Sequence, residues 1–213
     1  MRSGVRIPTS AFSFMQIIDK ILGPLETRTI LLICPTTFES ILIDPSFYSH
    51  HYFAPILEEK NFLLKKVYLT HSHYDHIVDI AKFHQMGIDI FVHLLDSQNV
   101  IAPGSDGLRA LKAIEGVSNP KFFKEGDVIR FGQIKGVVLE TPGHSPGSCC
   151  FYFPDHHVLI SGDTLFKGGI GRLDLPTAEP DKMGVSLDKI KKLPKNTIIY
   201  PGHGPKTTIQ EEL

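Results

Sequence analysis

No apolar run in this chain approaches the ~18–20 residues that span a bilayer, so nothing in it reads as a membrane helix. The first 14 residues, MRSGVRIPTSAFSF, carry Arg2 and Arg6 but lack an apolar core and a small-residue cleavage site, so a secretory signal is not expected. Charge of one sign is missing too. The 22 Lys and Arg nearly balance the 23 Asp and Glu, leaving a net charge of −1. That balance excludes a broad basic surface for nucleic acid and a binder of anionic membranes. Cysteine is scarce: Cys34, Cys149 and Cys150. An odd number with an adjacent pair is no disulfide framework, and the absence of a CxxC pattern leaves no cysteine-type zinc site. Reduced, partly buried thiols in a reducing, cytoplasmic compartment are expected.

What is present suits a soluble globular protein, with 42% hydrophobic and 21% charged residues. A length of 213 residues supports one sizeable domain. Met15 opens MQIIDKILGPLE, which reads as the start of that domain, so residues 1–14 are expected to be an extension and residues 15–213 the domain. Residues 29–33 and 38–43 read as a hairpin ending at Asp44-Pro45, residues 47–60 as a helix and residues 67–70 as a short buried strand. Apolar spacing predicts a helix over 75–86, stopped by Gly87, and a strand over 88–93, together a βαβ unit. LLDSQ reads as the start of a short helix, and 108–116 as a helix ended by Gly116. Four β runs follow, DVIRF, IKGVVLET, SCCFYF and HVLISGD, punctuated by Pro, Gly and Asp. A lysine-rich amphipathic helix over 182–193 and a last strand and loop over 197–204 complete the chain.

Histidine is concentrated where these runs end. THSHYDH, at 70–76, places His71, His73, Asp75 and His76 straight after a strand. A packed core has little use for so many imidazoles, because buried ones need partners. Three later strands each deliver one further candidate beside glycine: Pro-Gly-His144, Gly-Asp163 and Pro-Gly-His203. Strand exits on one edge of a sheet can converge on one site. Residues i and i+2 in an extended loop point the same way, so His71 and His73 suit one ion, with Asp75 and His76 turned toward a neighbouring position. The donors are imidazole and carboxylate, which suits Zn²⁺ and also Fe or Mn. Two such ions are expected to hold a hydroxide and polarise the bond it attacks.

His-x-His-x-Asp-His in THSHYDH resembles the signature of the metallo-β-lactamase fold superfamily, and TPGHSPGS, SGDTLF and YPGHGP resemble its remaining metal motifs in the right order. The resemblance runs from about Met15 to the end and implies an α/β fold, an αββα four-layer sandwich. It further implies one metal on His71, His73 and His144, another on Asp75, His76 and His203, and Asp163 as the bridge. GDTLFKGGIGRLD is similar to the glyoxalase II branch, which hydrolyses S-acylglutathione thioesters such as S-lactoylglutathione, and implies a substrate contact at Arg172. The ending resembles short bacterial glyoxalase II-like hydrolases. Longer members of that branch continue into a helical C-terminal domain that helps hold glutathione, whereas this chain ends ten residues after His203. Ser72, Tyr74 and Arg28 depart from the usual pattern without removing a metal ligand.

The expectation is therefore a metal-dependent hydrolase of a small-molecule thioester, with Asp75 and Asp163 in the chemistry and no nucleic-acid or membrane partner. Oligomeric state is left open. The runner-up is a persulfide dioxygenase with one iron on His71, His144 and Asp163. A lactone or phosphoester hydrolase, and a metal-binding scaffold without turnover, are further alternatives. His50, His51, His84, His156 and His157 read as ordinary solvated or satisfied histidines, and His93 as a candidate partner to a ligand. For Arg172 and Asp174 the plain alternative is a surface ion pair.

Overall fold

The computed structural model describes residues 14–213, so the expected extension falls, but for Phe14, outside the described residues. The chain opens with β1 (Gln16–Leu22), β2 (Thr27–Ile33) and β3 (Glu39–Ile43), paired antiparallel in sequence. It continues through α1 (Ser49–Glu59), β4 (Leu63–Tyr68), α2 (Tyr74–Ile77), α3 (Ile80–Gln85) and β5 (Asp89–His93). A 3₁₀ turn over Leu94–Asp96 leads into α4 (Ser97–Ile101), and β6 (Lys121–Phe123) closes the first sheet. That sheet is six-stranded in simple order, β3 to β6 running parallel.

The second sheet takes β7 (Val128–Phe131), β8 (Ile134–Glu140), β9 (Cys149–Phe153) and β10 (Val158–Gly162), then α5 (Pro180–Ile190), β11 (Ile198–Pro201), β12 (Thr207–Thr208) and α6 (Ile209–Glu212). It is antiparallel except for the β10–β11 pair.

Period-two alternation divides the apolar residues between layers. Ile30, Leu32, Ile41 and Ile43 of the first sheet meet Phe131, Val138, Phe151, Phe153 and Ile160 of the second. The other face of the first sheet, Leu31, Ile33 and Leu42, packs on Phe53 and Leu57 of α1 and Ile80 and Phe83 of α3. Cys150, Tyr152 and Leu159 pack on Ile190 of α5 and Ile209 of α6. Helices, sheet, sheet and helices thus form the four-layer αββα sandwich expected. Each fully buried Leu, Ile or Phe contributes roughly 1.5–3 kcal/mol. All three cysteines are buried and unpaired, with Cys149 and Cys150 on opposite faces of β9.

Two helix expectations need correction. The helix over 75–86 is broken: Asp79 lies at φ −107°, ψ 11°, and its N–H bonds Pro45 O at 3.0 Å instead of continuing the turn. Residues 108–116 form no helix. The chain there crosses α4 as irregular backbone, with Val117 N bonded to Val100 O at 2.9 Å. Gly116 passes so close to Ile101 that a Cβ would sit 2.2 Å from its carbonyl oxygen. Tertiary packing overrides helical spacing here.

Candidate metal centre

The seven side chains predicted from the sequence come together where the two sheets meet. The exit of β4 supplies His71, His73, Asp75 and His76, and the loop after β8 supplies His144. Asp163 follows β10 and His203 follows β11. Their donor atoms form three overlapping groups: His71, His73 and His144; His71, His76 and Asp163; and Asp75, His76 and His203. Asp163 faces both ends of the cluster. Its Oδ1 lies 3.3 Å from His76 Nε2, and its Oδ2 lies 3.5 Å from both His144 Nε2 and His203 Nε2. His73 Nδ1 approaches His144 Nε2 at 2.8 Å, and His203 Nε2 lies 3.3 Å from Asp75 Oδ2. Gly202 permits this density: a Cβ there would stand 2.2 Å from Asp163 Oδ1.

The outer nitrogens decide which inner ones are free. His144 Nδ1 lies 2.9 Å from Arg172 O, and His203 Nδ1 lies 2.9 Å from Leu25 O. A carbonyl only accepts, so both Nδ1 atoms carry the proton and both Nε2 atoms point inward. His76 Nδ1 donates to Asp44 Oδ2 at 2.9 Å. Asp44 also accepts from Thr70 N and Thr70 Oγ1, at 2.8 and 2.7 Å, which fixes the strand exit as well as the ring. Thr27 Oγ1 donates to Asp75 Oδ2 at 2.6 Å.

The electrostatics follow from burial and mutual charge. Burial lowers the pKa of His73 to about 3, helped by His144, and drives His71 well below the ordinary imidazole value. Burial also opposes charge on His203, yet bonds to Asp163 and Asp75 raise it to about 9. The same contest raises His76, surrounded by Asp75, Asp163 and Asp44. Burial pushes Asp75 up, but His76, His203 and Thr27 outweigh it and bring the carboxyl down to about 2. Asp163 is likewise held low by His76 and His203 against its burial.

His71 Nε2, His73 Nε2, His76 Nε2 and Asp163 Oδ1 are buried without a hydrogen-bond partner. Buried polar atoms left so are costly. An imidazole and carboxylate donor set with orphaned inward atoms fits divalent metal ions, which would supply the missing partners.

Several contributors escaped the sequence reading. Arg28, read only as a departure, is buried and clasps the His203 loop: its Nε donates to Pro201 O at 2.9 Å, its Nη2 to Gly204 O and its Nη1 to Asp19. Asp96 Oδ2 accepts from Ser72 N at 2.8 Å and Ser145 Oγ at 2.9 Å, and its Oδ1 accepts from Gly147 N at 2.7 Å. Asp44 had a signal, an acid closing a strand beside proline; Asp96 and Thr27 had none. His93 bonds Glu140 at 2.9 Å and none of the seven.

Above the cluster opens a cavity of about 400 Å³. Its wall includes His73, Asp75, His144, Asp163 and His203, with Leu25, Tyr74, Leu108, Phe166, Ile170, Arg172 and Leu175. Arg172 reaches this wall while its guanidinium is exposed and bound two-pronged to Asp174, both contacts at 2.9 Å.

Comparison with known proteins identifies the family. Residues 25–203 match the family described as the metallo-beta-lactamase superfamily. The chain is 33% identical over 196 residues to a probable metallo-hydrolase of Bacillus subtilis, YqgX, covering 90% of this chain and 91% of that one. It is 34% identical over 148 residues to a hydroxyacylglutathione hydrolase of Bartonella henselae, covering 69% of this chain and 51% of the relative. The chain therefore spans about half the length of that relative. Among solved structures, the BLEG-1 B3 metallo-beta-lactamase superposes with a TM-score of 0.84 at 30% identity, over 92% of this chain and 95% of that one. TTHA1623, in a di-iron-bound form, superposes with a TM-score of 0.76 at 33% identity, over 91% and 95%.

Proposed function

The chain belongs to the metallo-β-lactamase superfamily, and on that premise we propose that it is a two-metal hydrolase of thioesters, S-lactoylglutathione or a related acyl-thiol. The observation that carries this reading is one loop with two tasks. The segment after β10 supplies Asp163 to the cluster and Phe166, Ile170, Arg172 and Leu175 to the cavity wall. In the sequence this is GDTLFKGGIGRLD, the stretch that resembles thioester hydrolases. The likeness to hydroxyacylglutathione hydrolases over 69% of the chain supports it.

In this reading His71, His73 and His144 hold one ion, Asp75, His76 and His203 the other, and Asp163 serves both. Zinc suits the donors best, with iron and manganese compatible. Divalent ions bound there lower the pKa of water toward neutrality and polarise a carbonyl. The chain's own residues do the rest. Asp75, pinned by Thr27, orients the attacking water. Leu25 and Phe166 exclude bulk water, and Arg172 contacts the carrier half of the substrate. The water oxygen bonds to the carbonyl carbon, the C–S bond breaks, and its electron pair leaves on sulfur. The products are a carboxylate, a thiol and one proton.

The test is S-lactoylglutathione hydrolysis by protein of measured metal content, beside Asp163→Ala. Turnover with two ions per chain, lost at least 10²-fold in the variant, supports the reading. Two bound ions with cleavage of a β-lactam or lactone but of no thioester would replace it. One bound iron with oxygen consumption on a persulfide would move the assignment to a dioxygenase.

A further inference from the structure

The cavity wall carries more apolar surface than folding requires. Leu25, Leu108, Phe166, Ile170 and Leu175 line it, and none of the five belongs to any of the three buried cores. Leu25 and Ile170 are 39% and 40% exposed. They come from separate parts of the chain: the β1–β2 turn, the stretch after α4 and the loop after β10. Large apolar side chains left in water around a concave site mark a surface that an apolar ligand covers.

Charge on the wall points the same way. Among the residues lining the cavity, Arg172 is the one Lys or Arg, and Asp174 neutralises it through both carboxylate oxygens. A thiol such as glutathione brings two carboxylates of its own and would need cations free to meet them. Phe166 instead stands edge-on to His203, ring centroids 6.0 Å apart, which sets an aromatic face beside the reacting end of the cavity.

We propose that this site takes thioesters with an apolar acyl chain and selects them by burying that chain, not by charge on the thiol. The proposal rests on the thioester reading above and narrows its substrate.

The experiment uses metal-loaded protein and acetyl, butanoyl and hexanoyl thioesters of N-acetylcysteamine, whose thiol is uncharged, beside S-lactoylglutathione. Each added methylene is expected to raise kcat/KM about three- to fourfold, the factor that burial of one methylene supplies. Ile170→Ser, at a half-exposed position that the fold does not need, should flatten that slope. Arg172→Ala, at the residue set against the carrier half, should slow the hexanoyl ester and S-lactoylglutathione alike. Calorimetry with unreactive S-ethyl and S-hexyl thioethers of the same thiol gives a readout free of turnover, and the hexyl compound, four methylenes longer, should bind about 100-fold more tightly. A flat chain-length slope overturns the proposal. So does S-lactoylglutathione outrunning the hexanoyl ester more than tenfold with that advantage lost in Arg172→Ala, and in that case the thioesterase reading stands. Two bound ions without turnover of any thioester removes both.

Discussion

At the scale of single residues, the site is a contest between protons and metal ions for the same nitrogens. His203 carries its proton up to about pH 9 in the metal-free protein, because Asp163 and Asp75 outweigh its burial. His76 is raised by three neighbouring carboxylates. Metal can bind these rings only after the inward proton leaves. Loading the second ion near pH 7 should therefore release about one proton from each ring, beyond any lost by bound water. Calorimetric titration with zinc in buffers of different ionisation enthalpy counts those protons. The release should fall by about one between pH 7 and pH 10, as His203 becomes neutral beforehand. A count unchanged across that range would mean that His203 holds no such proton. The seven side chains that cluster here were legible in the sequence because four strand exits each deliver histidine or aspartate, a coincidence of motifs that polar residues scattered over a surface do not produce. Arg28 was visible only as an oddity, since nothing in a sequence shows that one guanidinium spans Asp19 and the carbonyls of Pro201 and Gly204.

At the scale of elements, the strands were the legible part and the segments between them the obscure one. Pro, Gly and Asp punctuate the β runs, so nine of the twelve described strands and their exits follow from the residues, while β1, β6 and β12 do not. Residues 108–116 carry helical spacing but spend it on packing across α4 and walling the cavity. The 3₁₀ turn and α4 hold the least foreseeable device. Asp96 takes the N–H of Ser72 while Asn99 Nδ2 gives to its carbonyl at 2.5 Å, so one short helix grips both sides of the residue between His71 and His73. Asp96 also holds Ser145 and Gly147, which flank the loop after His144. All three members of one ligand group thus depend on this helix, and the Asp75, His76, His203 group does not. Asp96→Ala should weaken one of two zinc ions by about 10–100-fold, the usual effect of losing a ligand's support. Its stability cost should be about 1–3 kcal/mol for the donors left buried. Competition with a chromophoric chelator reads the two affinities separately. Equal weakening of both ions, or a lower Tm with both affinities intact, would reduce Asp96 to a general structural role.

At the scale of the whole molecule, the cluster ties the two sheets together. His71, His73, Asp75 and His76 hang from the first sheet, and His144, Asp163 and His203 from the second. Charge at this seam should therefore appear in global stability, and its sign can be worked out for the metal-free protein. His73 is depressed to about 3 and His71 is also lowered, so below pH 6.5 the unfolded chain takes up protons that the folded one refuses. Stability falls on the acid side for that reason. Asp75, at about 2 when folded, adds a further loss as pH drops from 3.8 toward 2. His203 and His76 act oppositely. Their raised pKa values stabilise the folded state fully below pH 6.5, and that contribution is lost as pH rises toward about 9. The metal-free protein should then be most stable near pH 6.5, with Tm declining on both sides. Ions that replace those protons bind better as the rings deprotonate, and they stabilise only the folded chain. With two equivalents of zinc the decline between pH 6.5 and 9 should disappear while the acid limb persists. Thermal melts of chelator-treated and zinc-loaded protein across pH 4 to 9 measure both limbs. A metal-free Tm that climbs steadily from pH 6.5 to 9 would show that the histidines at the seam are neutral, and that the two sheets are held by their shared apolar core alone.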